Sequence, residues 1–437
     1  MAAITLMKTP AETALVQAFE AAKATLPGDV ESRAQAFETF NRNGLPHRRV
    51  EEFKYTDLRA LVREAAPFAA KPSLDEAKRA LLDAKSFAGV DAVRIPFVNG
   101  HLVDSAIAFD GLPEGIDVVP LASALASGHE WLSRLSPVDW ASKNPVYQLN
   151  SAFMADGVMI RVVGEVTTPI HLQFVTSSTT PVATATRVLV VVEPEASVTL
   201  VESHESTNGA AHQPNDVVEL IAADGAHVRH VRLNAEGDQA IALSTFAVKL
   251  GAEASLNTIN VAVGSSVFRH QVFGVFSGEN TTAQINGASM LKDRQHGDTT
   301  LIIEHAAPHC ESRELFKTVI DGEATGVFQG KIIVPPHAQK TDGRMMSAAL
   351  LLSEGGAMNN KPELEIFADD VQCAHGATCG QLDDDLLFYL MARGLPKPEA
   401  ESLLVQAFLG EAIEFVENDS LREALIASVE AWLRARG

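Results

Sequence analysis

Residues 368–380 read ADDVQCAHGATCG and set two of the chain's three cysteines around a histidine. If the run from Val371 to His375 is a strand, alternation turns Cys373 and His375 to one face and Ala374 to the other. A thiolate and an imidazole on one face could share a thiophilic metal ion or a cluster. Cys379 lies beyond Gly376, so a turn there either returns it to the same place or carries it away. Two or three ligands fall short of a closed tetrahedral site, so a metal held here is labile or is completed by a second chain. The competing reading is a small-residue turn with a buried cysteine and a hydrogen-bonded histidine.

Other candidate motifs fail on spacing or context. His305 and His309 in EHAAPHCES have the spacing of helical zinc ligands, but Pro308 and the surrounding strand pattern argue against a helix. Gly326 to Lys331 looks like a phosphate loop, yet three residues separate its glycines and Ile332 follows the lysine where a hydroxyl is needed. Neither GxSxG nor GxGxxG occurs, which gives a serine hydrolase or a dinucleotide enzyme no support. The segment NGLPHRRVEEFKYTDL carries His47, Arg48, Arg49, Glu51, Glu52, Lys54 and Tyr55 in quick succession. From the residues alone it reads as a solvated helix start.

These groups must be positioned by a chain whose pattern changes along its length. Apolar residues recur at helical spacing from Ala11 to about Leu82, as in Leu15, Phe19 and Ala22, then Ala36, Phe37 and Phe40, so residues 1–90 are read as a helical N-terminal domain. Residues 91–156 form a mixed α/β lead-in, with short strands in VRIPFVNGHLV beside a helical PLASALASGHEWLSRL. Residues 157–380 are strand-rich, with many Val and Ile in alternating or continuous apolar runs. Turn-like pieces there precede Val198, Val228, Leu256 and Ala283, at steps of 30, 28 and 27 residues. A repeat of this length suits stacked β-coils, each covering the face of the one before. A β-sandwich rarely extends over so many strands, so a β-solenoid is the preferred fold.

Residues 381–437 return to helix. Asp383 or Asp384 can cap LLFYLMARG, Gly394 suits the position after it, and Pro398 suits the first turn of the next helix. Leu403, Leu404, Ala407, Phe408, Ala412, Phe415 and Val416 form the expected buried stripe of that second helix. Ser420 and Glu423 make a capping box for the last one. Such a bundle docks a partner or covers an end of the solenoid.

Bulk properties narrow the function. Hydrophobic residues make up 46% and charged residues 21% of the 437, which suits a folded chain with room for more than one unit. Fifty-six acidic against 35 basic side chains leave a net charge of -21, and no basic patch offsets it, so nucleic acid and anionic membranes are poor partners. The N-terminus lacks a signal-peptide pattern and no run approaches the ~20 apolar residues that cross a bilayer, so a cytoplasmic protein is expected. Cys310, Cys373 and Cys379 are odd in number and confined to the last third, unlike a disulfide framework. Three tryptophans and three tyrosines offer few sugar-stacking platforms, which counts against a polysaccharide-binding solenoid.

The stretch from Cys310 to Pro396 contains FQGKI, AQKTDG, KPELEI, DDV and HGAT, and it resembles the SufB/SufD family of iron–sulfur cluster assembly proteins. GLPHRRVEEFKYTDL is similar to the N-terminal signature of the SufD branch, and Gly376 stands where a SufB chain would carry glutamate. Phe53 replaces a tryptophan common in the family. The resemblance implies a right-handed parallel β-helix flanked by helical N- and C-terminal domains. It also implies a non-catalytic scaffold that pairs with a SufB-like subunit and binds a SufC-like ATPase, which supplies the missing phosphate loop. Carried over residue by residue, the family's histidine is His375, with Cys373 as a neighbour. Together they would contribute to a transient site for iron or a nascent cluster shared with SufB, with nothing tightly bound to the isolated chain.

The resemblance assigns no role to Cys379 or Cys310. Leu386, Phe388, Tyr389 and Arg393 are the candidate SufC contact. Two further expectations stand beside these: a stand-alone metallochaperone using His375, Cys373 and Cys379, and a homodimer when SufB is absent, because solenoid edges are otherwise unpaired.

Overall fold

Val198, Val228, Leu256 and Ala283 lie opposite one another on successive parallel strands, so the uneven repeat in the sequence is the length of one coil. The computed structural model describes residues 7–107 and 109–436. From Asp156–Val162 to Gln372–Gly380, strands alternate between a nine-stranded and a ten-stranded sheet, and each, except at the ends of the stack, pairs in parallel with the strands two before and two after it. The chain thus winds through about eight coils of a β-solenoid.

The lead-in residues join this stack rather than stand apart from it. Val93–Val98 pairs in parallel with Ile170–Thr176, and Ile116–Pro120 pairs antiparallel with Asp156–Val162. At the other end, Ala357–Ile366 and Gln372–Gly380 are the last strands of their sheets, so each has a paired neighbour on one side only.

Alternation along each strand divides its residues between the lumen and an outer face. Val188, Val190 and Val192 point inward and lie over Val218, Leu220 and Ala222, the start of an apolar core that continues through Phe246, Val272, Leu301 and Phe328. Each such side chain contributes about 1.5–3 kcal/mol when fully buried. Part of the lumen is polar instead. Glu202 accepts hydrogen bonds from His204 Nε2 at 3.0 Å and His230 Nε2 at 2.8 Å, and His204 Nδ1 faces Asp216 at 3.3 Å. Burial opposes the charge on Glu202, but His230 and His204 overcome it and hold the carboxyl well below its usual range. Nearer the open end, Glu314 is buried with neither carboxylate oxygen hydrogen-bonded. Burial pushes its pKa up to about 8.

Helices cover the outer faces. On the nine-stranded sheet, residues Glu51 to Thr56 are not the solvated helix start that their charges imply. Phe53 is buried beneath the Arg269 guanidinium, 4.1 Å from ring to cation. Arg269 pairs with buried Asp298, which also accepts from the Thr56 hydroxyl. The Glu52 carbonyl accepts from Arg269 Nη2 at 2.8 Å and Gln329 Nε2 at 3.0 Å, and Glu51 pairs with Lys361 on the last coil. One short segment therefore latches four successive strands, because the sheet supplies an arginine and an aspartate whose burial is tolerable only when they are paired.

The ten-stranded sheet is covered by Lys397–Ile413 and Asp419–Arg436, whose Val405, Leu409, Leu421 and Leu425 pack with Val231, Ile259 and Ala288. Two expectations about these helices need correction. Ala400, Val405, Leu409, Ala412, Ile413 and Val416 are buried, whereas Leu403 and Phe415 are exposed. The helix is apolar on several sides, so spacing alone does not say which side meets the sheet. Asn418 rather than Ser420 caps the last helix, its Oδ1 accepting from Leu421 N at 3.1 Å.

Two stability predictions follow from these buried charges. Arg269→Met leaves Asp298 buried without its cation and is expected to cost about 3–5 kcal/mol, read as a lower denaturant midpoint; a cost below 1 kcal/mol would remove the latch from the account. Glu314 binds its proton more tightly folded than unfolded, so its contribution is full below the unfolded value of 4.5 and is lost as the pH rises toward 8. Glu314→Gln should accordingly raise the thermal midpoint more at pH 8 than at pH 5, and an equal change at both would contradict the assignment.

Candidate functional site at the terminal coil

The strand Gln372–Gly380 does not turn at Gly376. It stays extended because the preceding strand offers a partner at every position, with Gly343 opposite Cys373, Met345 opposite His375, Met346 opposite Gly376 and Ala349 opposite Cys379. A Cβ at position 376 would lie 2.9 Å from the Met346 sulfur, so glycine suits that packing. Cys373, His375 and Cys379 therefore fall on the inner side of one strand, at the open end of the lumen. Six residues of strand separate Cys379 from Cys373 by ~20 Å, so the two cysteines and His375 cannot hold one ion. Cys373 and His375 are ~7 Å apart along the strand and remain a workable pair.

Their environments differ. Cys373 is half-buried against the apolar core, and burial, with Asp342 and Glu314 nearby, pushes its thiol pKa up. A thiol held protonated ligates poorly until a metal displaces the proton. His375 is exposed, which suits a ligand offered outward. Among the described residues no three His, Cys, Asp or Glu side chains converge as a metal-binding group.

The other candidates disperse. His305 points into the lumen, its Nε2 2.9 Å from Ser312 Oγ, and burial pushes its pKa down to about 4. His309 occupies a tight turn with φ of 61°, and Cys310 is buried with its Sγ donating to the Gly278 carbonyl at 3.3 Å. Gly326 to Lys331 lies within the strand Thr325–Val334, where Lys331 Nζ meets Glu365 at 2.7 Å. No phosphate loop exists there.

Beyond the last coil, Asp384–Ala392 is capped by Asp383, whose Oδ1 accepts from Asp385 N at 2.9 Å and Leu386 N at 3.0 Å. No residue of this helix is buried, and Phe388 is 73% exposed. Leu386, Tyr389 and Met391 are exposed with it, and Arg393 Nη2 donates to the Tyr389 hydroxyl at 3.1 Å. A helix that packs on its neighbour yet leaves this many large apolar side chains exposed marks an interaction surface. The sequence names Leu386, Phe388, Tyr389 and Arg393 as a candidate contact but does not single out exposed Met391, the Phe53–Arg269 latch or buried Glu314. Alternation in ESRELF would have sent Ser312, Glu314 and Phe316 inward together, which was the available sign of a buried acid.

Comparison with known proteins agrees with this layout. Residues 174–408 match the model described as SUF system FeS cluster assembly, SufBD core domain, and residues 18–174 match the SufBD protein N-terminal region. An iron–sulfur cluster assembly SufBD family protein of Synechocystis is 33% identical over 91% of this chain and 89% of its own length. The iron–sulfur cluster assembly protein SufD of Escherichia coli is 29% identical over 90% of this chain and 91% of its own, and the chloroplastic protein ABCI7 of Arabidopsis thaliana is 27% identical over 90% and 83%. Among the described residues no helix is long and apolar enough to cross a membrane. With residues 18–408 matched by the two family models, the chain belongs to the SufBD family of iron–sulfur cluster assembly proteins and is similar to SufD.

Proposed function

We propose that this chain is a SufD-like scaffold, without catalysis of its own, that pairs with a SufB-like subunit and binds a SufC-like ATPase. The terminal coil carries the reading: its two strands have an edge with no neighbour, and its inner face bears Cys373 and His375. A partner that ends in a similar coil would continue both sheets and satisfy both edges. In its absence a second copy would use the same edges. Iron or a nascent cluster is the cargo, held transiently between the two subunits. His375 supplies a neutral imidazole nitrogen, with Cys373 beside it, and a thiolate of SufB completes the ligation.

Leu386, Phe388, Tyr389 and Arg393 form the SufC contact, since their helix is capped and leaves its large apolar side chains exposed. ATP-driven closure of a SufC pair would strain the joined coils and change access to the cargo. A stand-alone metallochaperone is disfavoured, because Cys379 lies too far along the strand to share an ion with Cys373.

Two experiments test these assignments. In the three-protein complex, purified anaerobically, His375→Ala should leave the subunits associated but reduce bound iron and sulfide at least tenfold; cluster retained at the wild-type level would remove His375 from the site. Phe388→Asp should weaken SufC co-purification at least tenfold, about 1.4 kcal/mol, without moving the thermal midpoint. Unchanged recovery of SufC would place its contact elsewhere.

A further inference from the structure

A buried arginine stays charged and is ordinarily paired with a carboxylate. Arg33, in the helix Val30–Asn43, is 3% exposed and has no such partner among the described residues. Its hydrogen bonds go to main-chain carbonyls alone. Nε donates to Pro27 O at 2.9 Å, Nη2 to Pro27 O at 2.5 Å, and Nη1 to Ala152 O at 3.1 Å and Ser151 O at 3.4 Å. That leaves one N–H of Nη2 without an acceptor.

A second guanidinium stands beside it. Arg187, buried on the outer face of the nine-stranded sheet, donates to Ser151 Oγ at 2.7 Å, so both arginines hold the same residue of the helix Pro145–Phe153. Arg187 also stacks on the Tyr147 ring at 4.2 Å and reaches Glu219 at 3.5 Å. Glu219 is the buried acid of this cluster, and burial pushes its carboxyl up, against ionisation. Burial, with the Arg187 charge beside it, pushes the Arg33 guanidinium down only to about 10, so it stays charged at neutral pH. Asp29, at the rim, is already engaged by Ser32 N at 2.7 Å and Ser32 Oγ at 2.6 Å. The cluster is thus locally positive in a chain whose net charge is -21.

Both arginines line one open cavity of about 650 Å³ between these two helices and the helical turn Glu130–Arg134. Small-molecule sites span ~300–1,000 Å³. Gln148 Oε1, on the wall, is buried without a hydrogen-bond partner, so an unused acceptor accompanies the unused donor. Leu132, Leu135 and Met154 supply apolar wall. We propose that this cavity binds a small organic anion, with its carboxylate or phosphate headgroup on Arg33 and its apolar body along Leu132, Leu135 and Met154. Arg33 donates its remaining N–H to a headgroup oxygen, and the headgroup charge compensates the arginine pair. Arg187 belongs to an early strand of the stack, away from Cys373 and His375, so the site is independent of the metal-handling coil.

The test is calorimetric titration of the full-length chain with octanoate and octyl phosphate as probes, and octylamine and inorganic phosphate as controls. At least one anion should bind saturably, and the tighter of the two names the headgroup. Octylamine should not bind, and inorganic phosphate should bind at least tenfold more weakly than octyl phosphate. Arg33→Met should lower affinity for the tighter anion at least tenfold. Because Arg33 also ties down Pro27 and Ala152, Gln35→Glu is the second variant: Gln35 is exposed on the cavity wall, so the change adds a negative charge and leaves the contacts of Arg33 in place. It should weaken anion binding at least threefold with an unchanged circular-dichroism spectrum. No saturable binding of either anion to the wild type, or wild-type affinity in Gln35→Glu, would overturn the proposal. Octylamine binding as tightly as the anions would overturn it too, since apolar wall alone would then explain the affinity. Inorganic phosphate binding as tightly as octyl phosphate would remove the apolar body from the assignment.

Discussion

A stack of parallel coils satisfies the backbone of every coil except the last. Each strand within the stack gives its N–H and C=O groups to the strands two before and two after, so pairing propagates without interruption until the strands end at Gly380. The N-terminal end is closed by the antiparallel strand Ile116–Pro120 and the short hairpin of Val93–Val98 with His101–Leu102. At the other end nothing equivalent follows, because the chain leaves into helix. Open strand edges are a liability in an isolated protein and an opportunity in an assembly. The same coil exposes its inward residues as well, since no further layer lies above them, and those residues include Cys373 and His375.

Helices cover both outer faces, and the attachments differ in kind. On the ten-stranded sheet the cover is apolar, with Val405, Leu409 and Leu425 against Val231 and Ile259. On the nine-stranded sheet the latch is polar, with Phe53 and Thr56 set on the Arg269–Asp298 pair and Glu51 reaching Lys361 of the final coil. A polar latch is geometrically selective, because its hydrogen bonds fail when one coil shifts against the next. Within the lumen, the His204, His230 and Glu202 contacts impose the same demand on an earlier pair of coils.

Legibility followed the distance over which each feature is encoded. The coil repeat was visible because its period recurs along the chain and each turn carries its own local signals. Helix caps at Asp383 and the early break at Gly44 to Pro46 were legible for the same reason. The latch was not, because Phe53 and Thr56 find partners more than 200 residues away, and their immediate neighbours are charged. The stripe of the helix Lys397–Ile413 was misplaced because Leu403, Leu404, Phe408 and Phe415 offer alternatives that only the facing sheet can rank. Gly376 suggests a turn because glycine permits one, but the ladder with Met346 holds it in a strand.

What the sequence determined by itself was the repeat, the class of fold and the identity of the groups able to ligate a metal, since alternation and coil length are local properties of a polypeptide. Tertiary structure decided which of those groups share a space. It placed Cys379 out of reach of Cys373, buried Glu314 two coils below His375 and left Phe388 exposed. Register between coils sets these relations, and register is the sum of many packing and hydrogen-bonding choices made between residues about 30 positions apart.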